Sequence, residues 1–554
     1  MHTHEARAAF ARWSSRVGDD WYGDDPHLDA ILATYRPALD RAPFAHFGTV
    51  SARRIDALAR ETNRDENLPR LRRWDGQGNR IETVEFHPSY HEIGQLAYAA
   101  GPMSRYAAPG SELETLALLY LFAQNGEAGH ACPMACTAGL IKILQASDCP
   151  RAPAWLERLL DPDYRRHYHG AQFLTEVQGG SDVGANALIA RPAGDRWTLH
   201  GEKWFCSVVD AQLFLVSARA EGAPSGTRGV DAFVVPRLRD DGRVNDFEIR
   251  RLKYKLGTRS MASAELDFRG AEAWRVGDFR QTVEVVLNTS RLYNAVCSTA
   301  GLQRAFREAA IYAEERLAFG KPIGSFPTVA RLLAGLRTEA IAARGLTFLL
   351  ADVADRLALR TASPVEAGAW RMLVNLNKYW TAIAATRGIR DAIEVLGGNG
   401  AIEEFSVLPR LLRDMIVCEA WEGGHNVLCT QAWKDAAKLG LHEPMFEFLA
   451  SVGGDHPRLE AAREHWSRLL AMPADDALWH VRDAADALRP AAQAAAIRHQ
   501  SRCGRDPILD AAHDHLLATT TPGWDARDDR GLRERVARLS PPGRAGSQPA
   551  PAPR

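Results

Sequence analysis

The sequence lacks an apolar run long enough to cross a membrane. Its longest apolar stretch, around Leu116–Ala123, is much shorter than the ~20 residues that span a bilayer. The N-terminal segment also lacks the apolar core of a secretory signal. Basic and acidic side chains nearly balance, at 68 against 69, so the whole chain has no general attraction to nucleic acid or anionic lipid. We therefore expect a cytoplasmic protein with no membrane partner.

Cysteine pairs and metal-ligand clusters are also missing. The eight cysteines are scattered through 554 residues, and no two form a C-x-x-C pair. This pattern suits a reducing compartment and excludes a disulfide framework or a zinc site of the usual spacing. Two His-x-His pairs, at His167 and His513, have no third ligand at a diagnostic spacing. We expect no metal.

Several motifs of nucleotide and ester chemistry are absent. No complete G-x-G-x-x-G follows a predicted strand, and its nearest approach, Gly76–Ile81, is better interpreted as a hairpin turn. The sequence has neither a P-loop nor a G-x-S-x-G elbow. A Rossmann-type dinucleotide domain is therefore not expected.

What is present is a change of hydrophobic period along the chain. Residues 1–170 predict a helical domain, with buried helices in Glu112–Ile143 that break at Asn125–Gly126. Residues 171–275 contain short alternating runs, about ten residues apart, which predict an antiparallel β-barrel or sandwich. The fold class is α+β multidomain.

The remainder of the chain returns to the helical period. Residues 276–440 contain long apolar patterns at Thr328–Leu359 and Trp370–Leu396, which predict an antiparallel bundle. Residues 441–540 predict a helical extension. The Pro/Gly/Ala-rich segment 541–554 is expected to be a disordered tail.

Three segments carry possible chemistry. In LTEVQGGSDV, Gly179 and Gly180 free backbone N–H groups beside the hydroxyls of Thr175 and Ser181, which suits a ring-edge carbonyl or a phosphate. The alternative is a polar loop that enters the β domain.

In GEKWFCS, Trp204 and Phe205 offer a flat wall for a conjugated ring, and Ser207 offers a hydroxyl. The alternative is aromatic core. In AWEGGHN, Glu422 precedes two glycines, an arrangement that suits a base beside backbone donors for a developing enolate. The alternative is a glutamate that caps or closes a loop.

These segments, in this order, resemble the acyl-CoA dehydrogenase family and most closely its AidB branch, the alkylation-response flavoproteins. The resemblance spans roughly residues 45–440. It is carried by NRIETVEFHPSYH, LTEVQGGSDV, GEKWFCSV, LKYKLGTRSMASAELDF, ERLAFGKPI, IEVLGGNGAIEE and WEGGHN.

The resemblance implies a helical N-terminal domain, a middle β domain and a C-terminal helical bundle, with FAD bound between them. It also implies a homotetramer in which one subunit completes the cofactor site of its neighbour. The implied cofactor contacts are Gln172, Phe173, Leu174, Thr175, Glu176, Gln178, Gly179, Gly180, Ser181, Trp204, Phe205, Ser207, Arg316, Phe319, Gly397, Gly398, Trp421, Gly423, Gly424 and Asn426. The implied substrate contacts are Thr175, Ser181, Ser207 and His425.

By the same resemblance, Glu422 is the catalytic base. The other family position for this base lies in the first bundle helix, where this chain has Ser290. The implied reaction is α,β-dehydrogenation of an acyl thioester, such as an acyl-CoA, with hydride transfer to flavin N5. The backbone N–H of Glu422 would hold the thioester oxygen, and an electron acceptor would reoxidise the flavin.

The AidB branch raises an alternative, because its acyl-CoA turnover is weak and its basic C-terminal region binds duplex DNA. Here residues 441–554 contain 15 Arg, no Lys and 16 Asp or Glu, a net charge of −1. Duplex affinity depends mainly on phosphate neutralisation, so this composition disfavours DNA. A DNA-associated alkylation-protection flavoprotein remains the alternative, and a flavin oxygenase on the same fold is a further one.

Overall fold

The computed structural model describes residues 3–502, 506–519 and 529–539. The segment 541–554, predicted to be a disordered tail, lies outside the described residues. The order of helices, strands and helices confirms the predicted fold class. Within the described ranges, no helix has the length and apolar character needed to cross a membrane. Those ranges also contain no group of three His, Cys, Asp or Glu side chains suited to a metal ion.

The N-terminal region contains eight helices and one hairpin. The helices are α1 (Thr3–Val17), α2 (Pro26–Tyr35), α3 (Ala42–Val50), α4 (Asp56–Thr62), α5 (Pro88–Ala99), α6 (Glu112–Ala123), α7 (Ala128–Gln145) and α8 (Ala152–Leu159). Strands β1 (Arg70–Trp74) and β2 (Arg80–Glu85) enclose the predicted turn. The break between α6 and α7 falls at the predicted Asn125–Gly126.

Helix α7 contains Pro133, which has no N–H to donate to the carbonyl of Gly129. The hydroxyl of Tyr90 donates to that carbonyl instead, at 3.0 Å. The helix therefore continues through the proline without leaving a buried acceptor unpaired.

The β domain consists of seven strands. They are β3 (Gly170–Phe173), β4 (Ile189–Ala193), β5 (Arg196–Ser207), β6 (Leu213–Ala220), β7 (Val230–Pro236), β8 (Phe247–Leu252) and β9 (Ser263–Asp278). The pairings β6–β4–β5–β9–β7 return to β6 and so close a barrel. The prediction of a purely antiparallel domain is wrong at β6, which pairs in parallel with β3 and β4. Both pairings are possible because long connections separate β6 from these strands.

The C-terminal half is helical. Its elements are α9 (Phe279–Gln281), α10 (Asn288–Glu315), β10 (Leu317–Ala318), β11 (Lys321–Pro322), α11 (Pro327–Ala358), α12 (Pro364–Leu396), α13 (Leu408–Ala420), α14 (His425–Leu439), α15 (His442–Gly453), α16 (Pro457–Ala471), α17 (Ala474–Ser501), α18 (Pro507–Thr519) and α19 (Asp529–Leu539). Helices α11 and α12 contain the two long patterns predicted from the sequence.

A buried charge cluster joins the N-terminal region to the bundle. Arg304 on α10 is fully buried and donates to both carboxylate oxygens of Asp56 on α4, at 3.1 and 3.3 Å. It also donates to Glu308, one turn further along α10, at 2.9 Å. Arg304 is thus the counter-charge for two buried carboxylates from different parts of the chain.

Replacing this arginine tests the cluster. We expect Arg304→Met to lower the free energy of unfolding by about 3–5 kcal/mol, because it leaves the buried Glu308 carboxylate without its cation and the buried Asp56 carboxylate with only the partly exposed Arg60. Urea denaturation followed by tryptophan fluorescence measures the change. Arg280→Met is the control, since Arg280 pairs with Glu284 on an exposed surface and should cost less than about 0.5 kcal/mol. Equal effects of the two substitutions would contradict this role.

Candidate active site

An apolar pocket lies between α7, α10, α13 and the loop that follows α13. The space in and around it, including the part that is open to solvent, is about 610 Å³. Small side chains of α7, including Ala128, Ala131 and Ala135, form one wall. Four thiols also line it, from Cys132, Cys136, Cys297 and Cys418. The pocket therefore suits an apolar ligand with few polar groups.

One end of the pocket is marked by Ser290 and Glu422. The amide of Gln172 joins this end to its surroundings: it donates to the carbonyl of Cys136 at 3.3 Å and accepts from the Ser290 hydroxyl at 3.2 Å. The other end is marked by Asp414, which accepts from the backbone N–H of Thr258 at 2.6 Å. Since the lining residues of α7 run from Ala128 to Cys136, the pocket is roughly 12 Å long.

Glu422 lies in a strained loop. Helix α13 ends at Ala420, and Glu422 has φ +58°, a left-handed conformation that non-glycine residues rarely adopt. Gly423 follows with φ +99°. Such strain persists where the surroundings hold the backbone in place.

Two buried cations, one on α10 and one on α12, donate hydrogen bonds to the carbonyls of this backbone. The Nε atom of Arg291 on α10 donates to the carbonyl of Glu422 at 3.1 Å. The ammonium of Lys378 on α12 donates to the carbonyls of Glu419 and Gly423, at 3.1 and 2.9 Å. Lys378 is fully buried, and Arg291 is 7% exposed. The loop carbonyls therefore solvate two charges that water does not reach.

These groups set the acidity of the carboxyl. Burial raises the pKa of Glu422, while the positive charges of Arg291 and Lys378 oppose the rise. Burial also lowers the pKa of Lys378, to about 8. A carboxyl shifted upward in this way is a stronger base than an exposed glutamate.

The glycine loop lies on the β domain. The carbonyl of Thr175 accepts from the Trp204 N–H at 2.9 Å, which joins the loop to β5. Ser181 is exposed, and Gly179 has open space where a Cβ would be. At Gly180 a Cβ would lie 2.5 Å from the Thr175 hydroxyl, so only glycine fits there. The loop thus presents backbone and hydroxyl groups at the surface.

A bulge exposes the aromatic pair of β5. The pairing with β9 shifts between Lys203 and Cys206, which frees Trp204 and Phe205 from the regular register. Phe205 is 53% exposed, and the Lys253 ammonium lies 3.5 Å from the centroid of the Trp204 ring. The Ser207 hydroxyl is 3.0 Å from that of Ser263 on β9. The planes of the two rings lie at 76° to each other, so the predicted flat wall of both rings does not form, and the exposed Phe205 ring offers a face of its own.

Four of the predicted cofactor residues form a second, distant cluster. Arg316 follows α10, and Phe319 lies in the β10–β11 turn with its ring 96% exposed. Gly397 and Gly398 follow α12, where Asn399 donates to the Tyr312 hydroxyl at 3.0 Å. Arg291 and Arg316 lie near opposite ends of α10, roughly 38 Å apart along its axis. Within one chain, this cluster and Glu422 are not brought together.

Three family models match successive parts of the chain. They are the N-terminal domain of the adaptive response protein AidB at residues 14–166, the acyl-CoA dehydrogenase middle domain at 171–271 and the acyl-CoA dehydrogenase C-terminal domain at 279–436. AidB of Escherichia coli (strain K12) is 32% identical over 448 residues, which cover 77% of this chain and 80% of AidB. Acyl-CoA dehydrogenase family member 11 of Caenorhabditis elegans is 30% identical over 516 residues, covering 86% and 82%.

The chain belongs to the acyl-CoA dehydrogenase family. The solved structure of C. elegans ACDH-11 in complex with C11-CoA is similar, with a TM-score of 0.82, 26% identity and coverage of 94% of this chain and 95% of that one. The apo form of Bd2924 has a TM-score of 0.82 and 27% identity over 87% of this chain and 98% of its own. The resemblance to the AidB branch is confirmed.

At two positions the structure revises the contacts implied by the family. The Phe173 side chain is fully buried in the β-domain core, 4.9 Å from the Phe214 ring. The Glu176 carboxylate is also buried and accepts from the Lys203 ammonium at 2.8 Å and from two backbone N–H groups of residues 187 and 188. Neither side chain is available to a ligand, because each is committed to folding the β domain.

The His425 side chain, which was predicted to contact the substrate, contacts Glu419 and Tyr379. Its Nε2 lies 2.9 Å from a carboxylate oxygen of Glu419, and its ring centroid lies 5.1 Å from that of Tyr379. The side chain is directed toward α12 and α13 and does not line the pocket. The substrate contact of His425 stays a prediction, and in this structure the side chain closes the loop.

The sequence analysis missed Arg291 and Lys378. Both lie within apolar helical patterns, at positions where a charged side chain is unusual. A cation on a buried helix face signals a polar partner in the interior. That signal is in the sequence, but it does not say which carbonyls accept.

Proposed function

We propose that this protein is an FAD-dependent acyl-CoA dehydrogenase that introduces an α,β double bond into an acyl thioester, with Glu422 as the base. The observation that carries the proposal is a buried carboxyl of raised pKa at one end of an apolar pocket, in a chain of this family. An exposed aromatic surface lies on the neighbouring β domain.

The residues present fit FAD. The exposed Phe205 ring matches a flat conjugated system, and the loop at Gly179–Ser181 offers polar groups for its edge. The buried Nε1 of Trp421 has no hydrogen-bond partner among the described residues, and Gly424 has open space where a Cβ would be. The space at Gly424 leaves room for a bound group, and the N–H of Trp421 is a donor that such a group could satisfy. FAD, when bound, supplies the hydride acceptor for the reaction.

Glu422 would act on the α carbon of the thioester. Its carboxylate takes the α proton, and the O–H bond forms as the C–H bond breaks. The electron density moves toward the thioester oxygen, where the backbone N–H of Glu422 can donate to it. The same electron pair would form the α,β double bond as the β hydrogen leaves with its bonding electrons as hydride, for which FAD would be the acceptor. Arg291 and Lys378 keep this backbone fixed, so the base and the donor do not need to reorganise during the reaction.

The pocket would hold the acyl chain. Its apolar walls exclude water from the base, which preserves the raised pKa. An extended alkyl chain advances about 1.3 Å per carbon, so a length of roughly 12 Å accommodates about nine carbons. We therefore propose medium-chain acyl-CoAs as substrates, in keeping with the C11-CoA bound to the C. elegans relative.

We further propose that a second copy of the chain completes the cofactor site within a homotetramer. The cluster of Arg316, Phe319, Gly397 and Gly398 lies too far from Glu422 to act on the same bound molecule in one subunit. A Phe319 ring that is 96% exposed also favours coverage by another chain. In this arrangement each subunit offers this cluster to the FAD of its neighbour.

The DNA-associated alternative has no contact in its favour among the described residues. Arg463, Arg482 and Arg489 of the C-terminal region are engaged with Glu460, Tyr379 and Glu339 respectively. Arg468, Arg498 and Arg502 of the same region are exposed, so the case against DNA is the net charge of −1 of residues 441–554. Retention of Glu422 also counts against a flavin oxygenase.

Removing the base tests the reaction. Glu422→Gln keeps the shape of the side chain but cannot accept a proton, so we expect kcat to fall by about 10²–10⁴-fold. Turnover of an acyl-CoA with an artificial electron acceptor measures the loss, and the visible flavin absorbance checks that FAD stays bound. Glu404→Gln, at an exposed position, is the control. Turnover by Glu422→Gln within a few-fold of the natural chain would disprove the assignment.

The pH dependence tests the surrounding charges. Glu422 must be ionised to act, so kcat/KM should rise with pH through a midpoint above the usual value of a glutamate. Lys378→Met removes a charge that favours the carboxylate, and the midpoint should therefore move to higher pH. Lys378→Arg retains the charge and serves as the control. A midpoint that stays in place or moves down in Lys378→Met would contradict this electrostatic role.

Narrowing the pocket tests where the chain lies. Ala131→Leu fills space roughly 7.5 Å from Cys136 along α7, so it should lower kcat/KM for nonanoyl-CoA by about 10–100-fold, the cost of overpacking. Butyryl-CoA is the internal control, since its shorter chain ends before Ala131. If both substrates lose activity equally, the acyl chain does not run along α7.

A further inference from the structure

Helix α17 of the C-terminal extension lies beyond the part of the chain that matches the acyl-CoA dehydrogenase domain models. We propose that α17 positions the base loop, which is the segment 421–424 that contains the proposed base Glu422. Arg482 and Asp486 of α17 do this by holding Tyr379 of α12. The expected effect on kcat rests on the proposed function of Glu422, but the expected hold of α17 on the loop does not.

The first step is the contact between α17 and α12. The Tyr379 hydroxyl donates to a carboxylate oxygen of Asp486 at 2.7 Å and accepts from Nε of Arg482 at 2.9 Å. The Arg482 guanidinium also lies 5.2 Å from the centroid of the Tyr379 ring. A hydroxyl that both donates to a carboxylate and accepts from a guanidinium has its orientation fixed by two charge-assisted hydrogen bonds.

The second step is the contact between Tyr379 and the loop. The Tyr379 ring packs against the ring of His425, with the centroids 5.1 Å apart. His425 begins α14 and is hydrogen-bonded to Glu419 in the last turn of α13. Burial lowers the pKa of His425, so its neutral ring donates to the Glu419 carboxylate. The hydrogen-bonded pair of Glu419 and His425 therefore joins the two ends of the loop that contains Glu422, and this pair packs against Tyr379.

The third step is the neighbour of Tyr379 on the same helical turn. Lys378 donates to the carbonyls of Glu419 and Gly423, on both sides of Glu422. Because Lys378 and Tyr379 are adjacent, a shift of this turn of α12 moves both supports together. The turn of α12 that contains Lys378 and Tyr379 thus contacts α17 through Tyr379 and the base loop through Lys378.

The polar contacts can be removed without opening the core. Helix α17 packs through buried apolar side chains, among them Ala484, Ala485 and Leu488. Arg482 and Asp486 are exposed residues of the same helix. Variants at these two positions should therefore fold, and their effect should be confined to Tyr379 and the loop.

The experiment compares two aspartates of α17 in the full chain. Asp486→Ala should speed backbone hydrogen exchange in residues 419–428, while exchange in α7 stays unchanged. Asp483→Ala is the matched control, because Asp483 is exposed on the same helix and its carboxylate lies 3.7 Å from Nδ1 of His480. It should change neither segment.

Catalysis gives a second readout. In Asp486→Ala we expect kcat to fall about tenfold with little change in KM, because a misplaced base slows the chemical step more than it weakens acyl binding. Tyr379→Phe should reproduce both effects, and the double variant should add nothing, since the two residues act as one unit.

Loop exchange and kcat that both stay at the natural level in Asp486→Ala would overturn the proposal. Equal effects of Asp483→Ala, or faster exchange throughout the protein, would also overturn it, because either would mean a general loss of stability. If the natural chain fails to oxidise any acyl-CoA, the proposed function fails, but the exchange comparison still decides whether α17 supports the loop.

Discussion

The backbone carbonyls of residues 419–423 accept hydrogen bonds from two buried cations, Arg291 and Lys378, and this interaction fixes the position of Glu422. Neither cation forms an ion pair within 4 Å among the described residues. Two loop carbonyls accept from Lys378, while Arg291 donates to the Glu422 carbonyl and, at 3.1 Å, to the side-chain oxygen of Asn288. A loop that moved away would leave a buried charge without its hydrogen bonds, at a cost of several kcal/mol. This constraint explains how a non-glycine residue keeps a left-handed backbone beside the pocket.

The same cations set the chemistry of the carboxyl. Burial alone would favour the protonated form of Glu422, which could not accept a proton. Full solvation would leave it ionised but weakly basic. With two positive charges nearby, the pKa of the carboxyl is raised less than burial alone would raise it, and the carboxylate is still a stronger base than that of an exposed glutamate. The fold thus uses one pair of side chains for geometry and for acidity.

Local patterns predicted much of this structure. The 3.6-residue period located α11 and α12, the alternating runs located β5 to β9, and the glycines of Gly76–Ile81 marked a hairpin turn. Motifs in family order pointed to Glu422. Contacts between distant residues were not predictable in this way. The parallel partners of β6, the inward direction of Glu176 and the ring contact of His425 all depend on segments that only the folded chain brings together. Arg291 and Glu422 are likewise 131 positions apart in sequence.

We propose that Glu422, held by Arg291 and Lys378, exchanges a proton with the α carbon of a bound acyl thioester. The most direct measurement is the exchange of the α hydrogens of a medium-chain acyl-CoA with deuterated solvent, followed by NMR under anaerobic conditions. The account predicts exchange catalysed by the natural chain and its loss when residue 422 carries an amide. Exchange that continues at the natural rate without the carboxylate would contradict it.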